Sequence, residues 1–460
     1  MSNSNINNQQ GSLSLVACIT ILVGGMIGSA IFSLSGMTIY YAGPAAIITW
    51  IMAAIVLLMY GLQVAELSTI FPKSGGVFVF PSKSLGKTEK QGKIWGWISV
   101  WGYINANIVG TAFAAIYVAT YLSVAFPIFE GKQVFLAVLS CLICCILNIL
   151  KFSVTGKANT FLVSLLVATM LVFIAVGLFG GNWDTSLITP FFTQGVKGGT
   201  GFISAIPNAM LAYGSIVAIA FMVSEVKNPN VNVPKSVLIA MGIVVSLYSL
   251  IIITTVGLVT ADFLHENPGM RFIPLYAAAF TKLSAFPWLP KIISISAVLA
   301  LLTTMLVLIA LTSRAIAAAA EGGMLPKGLA KLNPKTGVPL TATIVVGIAS
   351  IVISCFPQFT AEIVNLGSVF AAVTISINCI SLLVARKKNP YVQGNYRAPG
   401  GSILPIVTLI IIVSSYIPGI ISGASLWYYT AIWYSVGAVI LMSALSRMKE
   451  SEKKGSNVNS

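Results

Sequence analysis

The chain has 460 residues, of which 57% are hydrophobic and only 8% are charged, and its formal net charge is +15. A soluble domain carries about 25% charged residues, so this composition excludes a soluble protein and indicates a polytopic membrane protein. No charged residue precedes Glu66, and the N-terminus lacks the basic start and the cleavage site of a signal peptide. We therefore expect the first helix to remain in the mature protein.

Apolar runs long enough to span a bilayer, about 17 to 25 residues or more when tilted, recur along the whole chain. They predict an all-α membrane protein with twelve transmembrane helices, at 13–39, 44–70, 94–126, 133–150, 158–180, 201–225, 234–260, 287–317, 339–356, 361–385, 404–422 and 427–446. An even number of helices places both termini on the same side. We expect residues 1–12 and 447–460 to form tails there.

Basic residues in the loops indicate which side of the membrane is cytoplasmic. Of the 26 Lys and Arg residues, five fall opposite the predicted tails: Lys132, Lys197, Arg271, Lys282 and Lys291. The others lie on the side of the termini, which the positive-inside rule assigns to the cytoplasm. We therefore expect a multi-pass protein of the cell membrane with both termini cytoplasmic. The neighbours of its basic loops are then anionic membrane lipids, and no nucleic-acid partner is predicted.

The first apolar run has a weak point in its middle, the stretch GGMIGSAIF at 24–32. Three glycines and a serine at this depth predict a broken helix. Backbone groups freed in hydrocarbon are costly, so a break persists only where protein, water or a bound solute satisfies them. The stretch is therefore a candidate binding site. Gly24 and Gly28 also have the GxxxG spacing of closely packed helices, which is the structural alternative.

A second weak point lies in the sixth predicted helix, in LAYGSIVAIAF at 211–221. It follows the first by five helices, which is the arrangement of an inverted-repeat transporter with its substrate at the midplane. Amides at the N-terminus of a half-helix suit a carboxylate, and freed carbonyls suit an ammonium group. The second weak point and the absence of charge in both helix cores favour binding over helix packing.

Motifs along the chain resemble those of the amino acid-polyamine-organocation transporters. The stretch at 24–32 resembles the first-helix signature G-x-x-I/M-G-S-G-I-F, and PKSGGVFVF at 72–80 resembles the inner-loop motif P-x-S-G-G-x-Y-x-Y. Further motifs follow in the family's order: EVKNP at 225–229 with a proline at 234, SR through EGGMLP at 313–326, and YRAPG at 396–400. Together they cover most of the chain.

The resemblance implies a LeuT-like fold of two inverted five-helix repeats, 13–180 and 201–385, followed by two helices at 404–446. It also implies secondary transport of amino acids by alternating access. No cofactor or metal site is predicted from the sequence. The sequence contains no nucleophile-base pair, phosphate loop or metal cluster, so we do not predict an enzyme. A channel or sensor on the same scaffold is the alternative from another class. A homodimer is left open.

The resemblance also assigns residues to the site. In such transporters the amides after the first break hold the substrate carboxylate, and the matching positions here are Ser29 and Ala30, with Gly28 beside them. Ala30 replaces the usual glycine, so its methyl group is expected to narrow the pocket slightly. Carbonyl acceptors for the substrate ammonium group are implied at Met26, Leu211 and Gly214.

Four further side chains are candidates with a structural alternative. Thr111 aligns with the same region, where its hydroxyl would bond the substrate or its own helix backbone. Tyr213 would close the pocket like a lid or simply pack. Thr303 and Thr304 offer hydroxyls that would join first-helix carbonyls around Na+, or they pack between helices. Exchange without a coupling ion is the simplest interpretation.

Selectivity is predicted from the absence of charge. Neither broken helix carries Asp, Glu, Lys or Arg, and Val217 stands where the family's arginine antiporters place a carboxylate. A charged substrate side chain would need a buried partner at this depth. We therefore predict neutral amino acids as substrates. The alternative is a polyamine or cationic amino acid antiporter.

Overall fold

The computed structural model of the chain describes residues 13–72, 75–150, 157–221, 223–388, 395–421 and 426–458. These ranges form α-helices, short 3-10 segments and turns, and none of them contains a strand. The α-helices are α1 (Leu15–Met26), α2 (Ser29–Ala42), α3 (Ala46–Ile70), α4 (Gly76–Ser84), α5 (Glu89–Ala125), α6 (Gln133–Ile149), α7 (Lys157–Phe179), α8 (Gly201–Ser204), α9 (Ile206–Met210), α10 (Pro229–Val256), α11 (Ala261–Glu266), α12 (Pro274–Lys282), α13 (Leu289–Glu321), α14 (Leu340–Ser354), α15 (Thr360–Lys388), α16 (Ile403–Ile421) and α17 (Leu426–Val458). The all-α class is confirmed.

The helices have the lengths and composition of a membrane protein. In the part of the chain that the structure describes, eight helical segments are long and apolar enough to cross a membrane, and four shorter apolar helices accompany them. One of the shorter helices is α1, because the first apolar run is divided between α1 and α2. The chain is therefore a multi-pass membrane protein.

Apolar runs locate the membrane-depth part of a helix but not its ends. α5 begins at Glu89 rather than at 94, and the Thr88 side chain caps it by accepting a hydrogen bond from Gln91 N at 3.3 Å. α17 continues to Val458, through most of the tail expected from 447. Outside the bilayer a helix is set by caps and backbone hydrogen bonds rather than by hydrophobicity. Residues 1–12, the other expected tail, lie outside the described ranges.

Two backbone hydrogen bonds join the start of α1 to the end of the sixth span. Leu13 N donates to Glu225 O, and Lys227 N donates to Leu13 O, both at 2.9 Å. These bonds form an isolated parallel bridge between Leu13 and Val226. The two interrupted segments are thereby held side by side at one end.

A buried ion pair joins α3, α15 and the linker to α16. Arg386 Nε and Nη2 donate to the Glu66 carboxylate at 2.8 and 2.5 Å, and the two side chains are 9% and 4% exposed. The Ala398 amide donates to the same carboxylate at 2.8 Å, and Arg386 Nη1 donates to the Gly401 carbonyl. This bidentate geometry, with further hydrogen bonds satisfied, is the kind that offsets the desolvation cost of a buried pair.

Removing one member of this pair leaves the other charge buried without its partner, which costs about 3–5 kcal/mol. We therefore expect Arg386→Met to lower the thermal unfolding temperature of the protein in detergent micelles. The matched control is Lys93→Met, which removes an exposed pair with Glu89 on α5 and should leave that temperature unchanged. Equal unfolding temperatures for the two variants would show that the buried pair does not hold the linker.

Candidate functional site

A cavity lies where the break between α1 and α2 faces the 3-10 segment Leu211–Phe221. Its volume is about 150 Å³, and α3, α5, α13 and α15 complete its wall. Seven of the residues expected at the site line it: Met26, Gly28, Ser29, Ala30, Leu211, Gly214 and Thr304. Three others, Thr111, Tyr213 and Thr303, are not part of this wall. The two weak points predicted from the sequence therefore border one common space.

The break in the first helix is bonded on both sides. α1 ends at Met26 and α2 begins at Ser29. The Tyr248 hydroxyl on α10 donates to the Met26 carbonyl at 2.6 Å, and the Ser29 amide donates to Thr304 Oγ1 on α13 at 3.1 Å. Because buried unpaired backbone groups are costly, these two side chains stabilise the break. No sequence motif pointed to Tyr248.

Glycines at the break allow neighbouring segments to approach closely. A Cβ built on Gly28 would overlap Thr304 Oγ1, and one on Gly25 would lie 3.0 Å from Ser215 Cβ. The φ of Gly28 is negative, −145°, and so lies outside the left-handed region that favours glycine. The lack of space is the reason for glycine that the structure shows. The space beside Gly28 is filled by the hydroxyl of Thr304. In a GxxxG motif the glycine would instead contact the backbone of a neighbouring helix.

The second weak point is a tightened helix rather than a gap. Leu211–Phe221 form a 3-10 segment of 11 residues directly after α9, although 3-10 runs beyond about four residues are uncommon. Bonding from i to i+3 pairs the backbone without unwinding it, so this segment differs from the broken helix that we expected. Gly214 is exposed in this segment, and a Cβ built on it would meet no atom within 4 Å.

Tyr213 and Thr111 are engaged elsewhere. Tyr213 is fully buried, its ring centroid lies 6.0 Å from that of Trp50 and 5.5 Å from that of Tyr248, and its hydroxyl donates to the Trp50 carbonyl at 3.3 Å. Its ring packs between helices and does not line the cavity, so the lid role stays a prediction. The Thr111 hydroxyl donates to the Asn107 carbonyl of its own helix at 2.8 Å, which is the alternative that the sequence left open.

Thr303 and Thr304 are adjacent but not equivalent. Both hydroxyls donate to the Ala300 carbonyl one turn earlier on α13, at 2.9 Å each. Only Thr304 lines the cavity and contacts the break, through the Ser29 amide. Donation to Ala300 leaves both hydroxyl oxygens free to act as ligands, and only the Thr304 oxygen contacts the break. The cation site at Thr303 and Thr304 therefore stays a prediction.

Sequence reasoning missed one wall of the cavity. Tyr103, Asn107 and Gly110 on α5 line it, as do Gly367 and Thr374 on α15. The resemblance motifs lie on the first helix, on α4 and α13, and around the starts of α10 and α16. Thr111, the residue of α5 that the sequence did propose, is not part of the lining, and no residue of α15 was proposed. Small residues such as Gly110 and Gly367 leave room between helices, but glycines of this kind are common in membrane helices and give no specific signal.

On one side of the break, α11 and α12 pack against α2. A Cβ on Gly36 of α2 would overlap the Arg271 carbonyl, so the two backbones are in direct contact. The rings of Phe113 and Tyr117 lie 4.8 Å apart, and those of Tyr117 and Phe272 lie 5.3 Å apart, which adds an aromatic layer. The described structure thus has one tightly packed end beyond the break.

The family comparison agrees with this architecture. A family model of amino acid permeases matches residues 13–445. The chain belongs to the amino acid permease family. This confirms the resemblance to the amino acid-polyamine-organocation superfamily. The family and the names of its relatives point to a transporter.

Curated relatives align over nearly the whole permease. The methylthioribose transporter of Bacillus subtilis (strain 168) is 28% identical over 440 residues, which are 92% of this chain and 91% of the relative. The branched-chain amino acid permease BcaP of the same strain is 27% identical over 411 residues, 84% of this chain and 83% of the relative. BcaP of Lactococcus lactis subsp. cremoris (strain MG1363) is 25% identical over 449 residues, 93% of each chain.

Gly214 offers a direct test of the cavity. Because a Cβ there meets no atom within 4 Å, Gly214→Leu should fold normally and fill the cavity, weakening substrate binding by about tenfold or more, or about 1.4 kcal/mol. Gly242→Leu is the control, because Gly242 on α10 is equally free of neighbours but does not line the cavity. Binding to the purified protein measures the effect. Equal affinity in both variants would exclude the cavity as the binding site.

Proposed function

We propose that the permease is a secondary active transporter that carries neutral amino acids across the cell membrane by alternating access. The observation that carries this proposal is the cavity between the first-helix break and the 3-10 segment. Helix ends border it on one side, and its walls are mostly apolar. None of the residues that line it in the described chain is Asp, Glu, Lys or Arg.

The architecture that we propose is LeuT-like, with inverted repeats at 13–180 and 201–385 and two further helices at 404–446. The eight long and four shorter apolar helices support a total of twelve spans. The interrupted segments face each other, as expected for substrate binding between inverted repeats. The distribution of Lys and Arg supports cytoplasmic termini.

In the proposed binding mode, the substrate carboxylate lies at the N-terminal end of α2, near Ser29 and Ala30. The dipole of α2 favours negative charge there. The ammonium group lies toward the backbone of Leu211 and Gly214. The Met26 carbonyl is a weaker candidate for the ammonium group, since Tyr248 already donates to it at 2.6 Å.

An apolar substrate side chain fits the remaining walls. Val217, Leu308 and Ile375 line the cavity, and Val217 is the position where a carboxylate would serve a cationic substrate. An unpaired charge there would be costly. The relatives named branched-chain amino acid permease also support a neutral substrate. A polyamine or cationic amino acid antiporter, the alternative, would need an acidic group within this wall.

A competition panel in proteoliposomes tests the substrate class. We expect leucine, alanine or serine to inhibit uptake strongly, and arginine, lysine and putrescine to inhibit it weakly, because no lining residue offers a countercharge. Methylthioribose belongs in the panel because one relative carries that name. Strong inhibition by putrescine or methylthioribose alone would overturn the proposal. The same uptake assay, repeated with and without Na+ and with and without a pH gradient, tests whether transport needs a coupling ion. Exchange without a coupling ion predicts that neither condition changes uptake.

Alternating access predicts that the packed end must open, and Gly36 tests this. A Cβ on Gly36 would overlap the Arg271 backbone, so Gly36→Ala should disfavour the closed state and slow exchange while substrate still binds. Gly269→Ala is the control in the same outer region, since a Cβ there meets no atom within 4 Å. The measurement is the exchange rate in proteoliposomes beside the Kd of the purified protein. An unchanged rate in Gly36→Ala would contradict movement at this contact.

A further inference from the structure

We propose that Thr304 is the resident cap of the carboxylate site, and that the substrate carboxylate displaces its hydroxyl from the Ser29 amide on binding. The inference rests on the proposed function, because it takes the N-terminal end of α2 as the carboxylate site. Thr304 is a positioning residue in this scheme: it controls how readily the helix end accepts the substrate.

α2 begins without a cap of its own. The first amides of a helix have no partner within that helix, and the residue before α2, Gly28, supplies no side-chain hydrogen bond. The Ser29 amide instead donates to Thr304 Oγ1 at 3.1 Å, across to another helix. A threonine oxygen from α13 therefore fills the role that a neighbouring Ser, Thr or Asp plays at an ordinary helix start.

The Thr304 hydroxyl occupies the approach to this amide. A hydroxyl has one proton to donate, and here it goes to the Ala300 carbonyl at 2.9 Å, so the oxygen faces Ser29 as an acceptor. A carboxylate is also an acceptor and needs the same N–H group. Because a Cβ on Gly28 would overlap Thr304 Oγ1, that oxygen covers the face of Gly28. Carboxylate and hydroxyl therefore compete for the Ser29 amide.

Displacement of the hydroxyl is inexpensive. Threonine in a helix divides between two χ1 rotamers, because its hydroxyl can bond the carbonyl three or four residues earlier. Thr304 uses the fourth, Ala300, and its side chain borders the cavity rather than a packed helix face. The helix end is capped by Thr304 in the empty carrier and by the carboxylate in the loaded one. The Ser29 amide is never left unpaired.

The test compares leucine binding and exchange in three variants of the full-length protein. Thr304→Val removes the competing oxygen, so leucine should bind about fivefold more tightly, the equivalent of one net hydrogen bond, while exchange slows because release leaves the amide unpaired. Thr304→Ser keeps the hydroxyl and should behave as the unmodified protein does. Thr303→Val is the matched control: Thr303 bonds the same Ala300 carbonyl but does not reach the break.

A second ligand shows whether the effect depends on the carboxylate. Isopentylamine is leucine without its carboxylate, so Thr304→Val should leave its affinity unchanged. Thr304→Ala provides the same comparison if the valine variant does not fold. Unchanged or weaker leucine binding in the folded variant would overturn the inference alone. Failure of the unmodified protein to bind any neutral amino acid would instead overturn the proposed function, and the inference with it.

Discussion

The permease depends on one constraint: a backbone group freed from a helix in an apolar interior must find another partner. At the first break these partners are side chains of other helices, Tyr248 for the Met26 carbonyl and Thr304 for the Ser29 amide. In the 3-10 segment Leu211–Phe221 the backbone pairs with itself instead. A side-chain partner can rotate away, whereas the backbone hydrogen bonds of the 3-10 segment break only when that segment unwinds. At the first break a ligand can therefore replace a side-chain partner, whereas in the 3-10 segment it must share carbonyls that are already paired.

Close approach of backbones sets the shape of the site. Gly25 and Gly28 let the 3-10 segment and the Thr304 hydroxyl come into contact with the break, and Gly36 lets α2 touch the Arg271 backbone. A Cβ on Gly28 or Gly36 would overlap the opposing atom, and one on Gly25 would make a tight contact with Ser215. Membrane helices rely on such small residues because lipid is as apolar as a leucine side chain, so their association depends on packing.

Charge is separated from the cavity. The Glu66–Arg386 pair is buried, but it lies between α3, α15 and the linker to α16, where bidentate contact and the Ala398 amide satisfy it. The lining of the cavity carries no such group among the described residues. A buried charge without a partner is costly, so the first arrangement is structural and the second is the one that the proposed neutral substrate requires.

The sequence alone determined the features that composition and chain order control: the all-α membrane class, the family, and the weak points at 24–32 and 211–221. Hydrophobic run length and glycine placement are local properties, so they can be read without a structure. Only the tertiary structure decided that Thr304 contacts the break while Thr303 does not, that Tyr248 bonds Met26, and that Tyr213 is buried away from the cavity. These assignments depend on the rotation of each helix against its neighbours, and a nearly uniform apolar helix carries no periodic pattern that would fix this rotation.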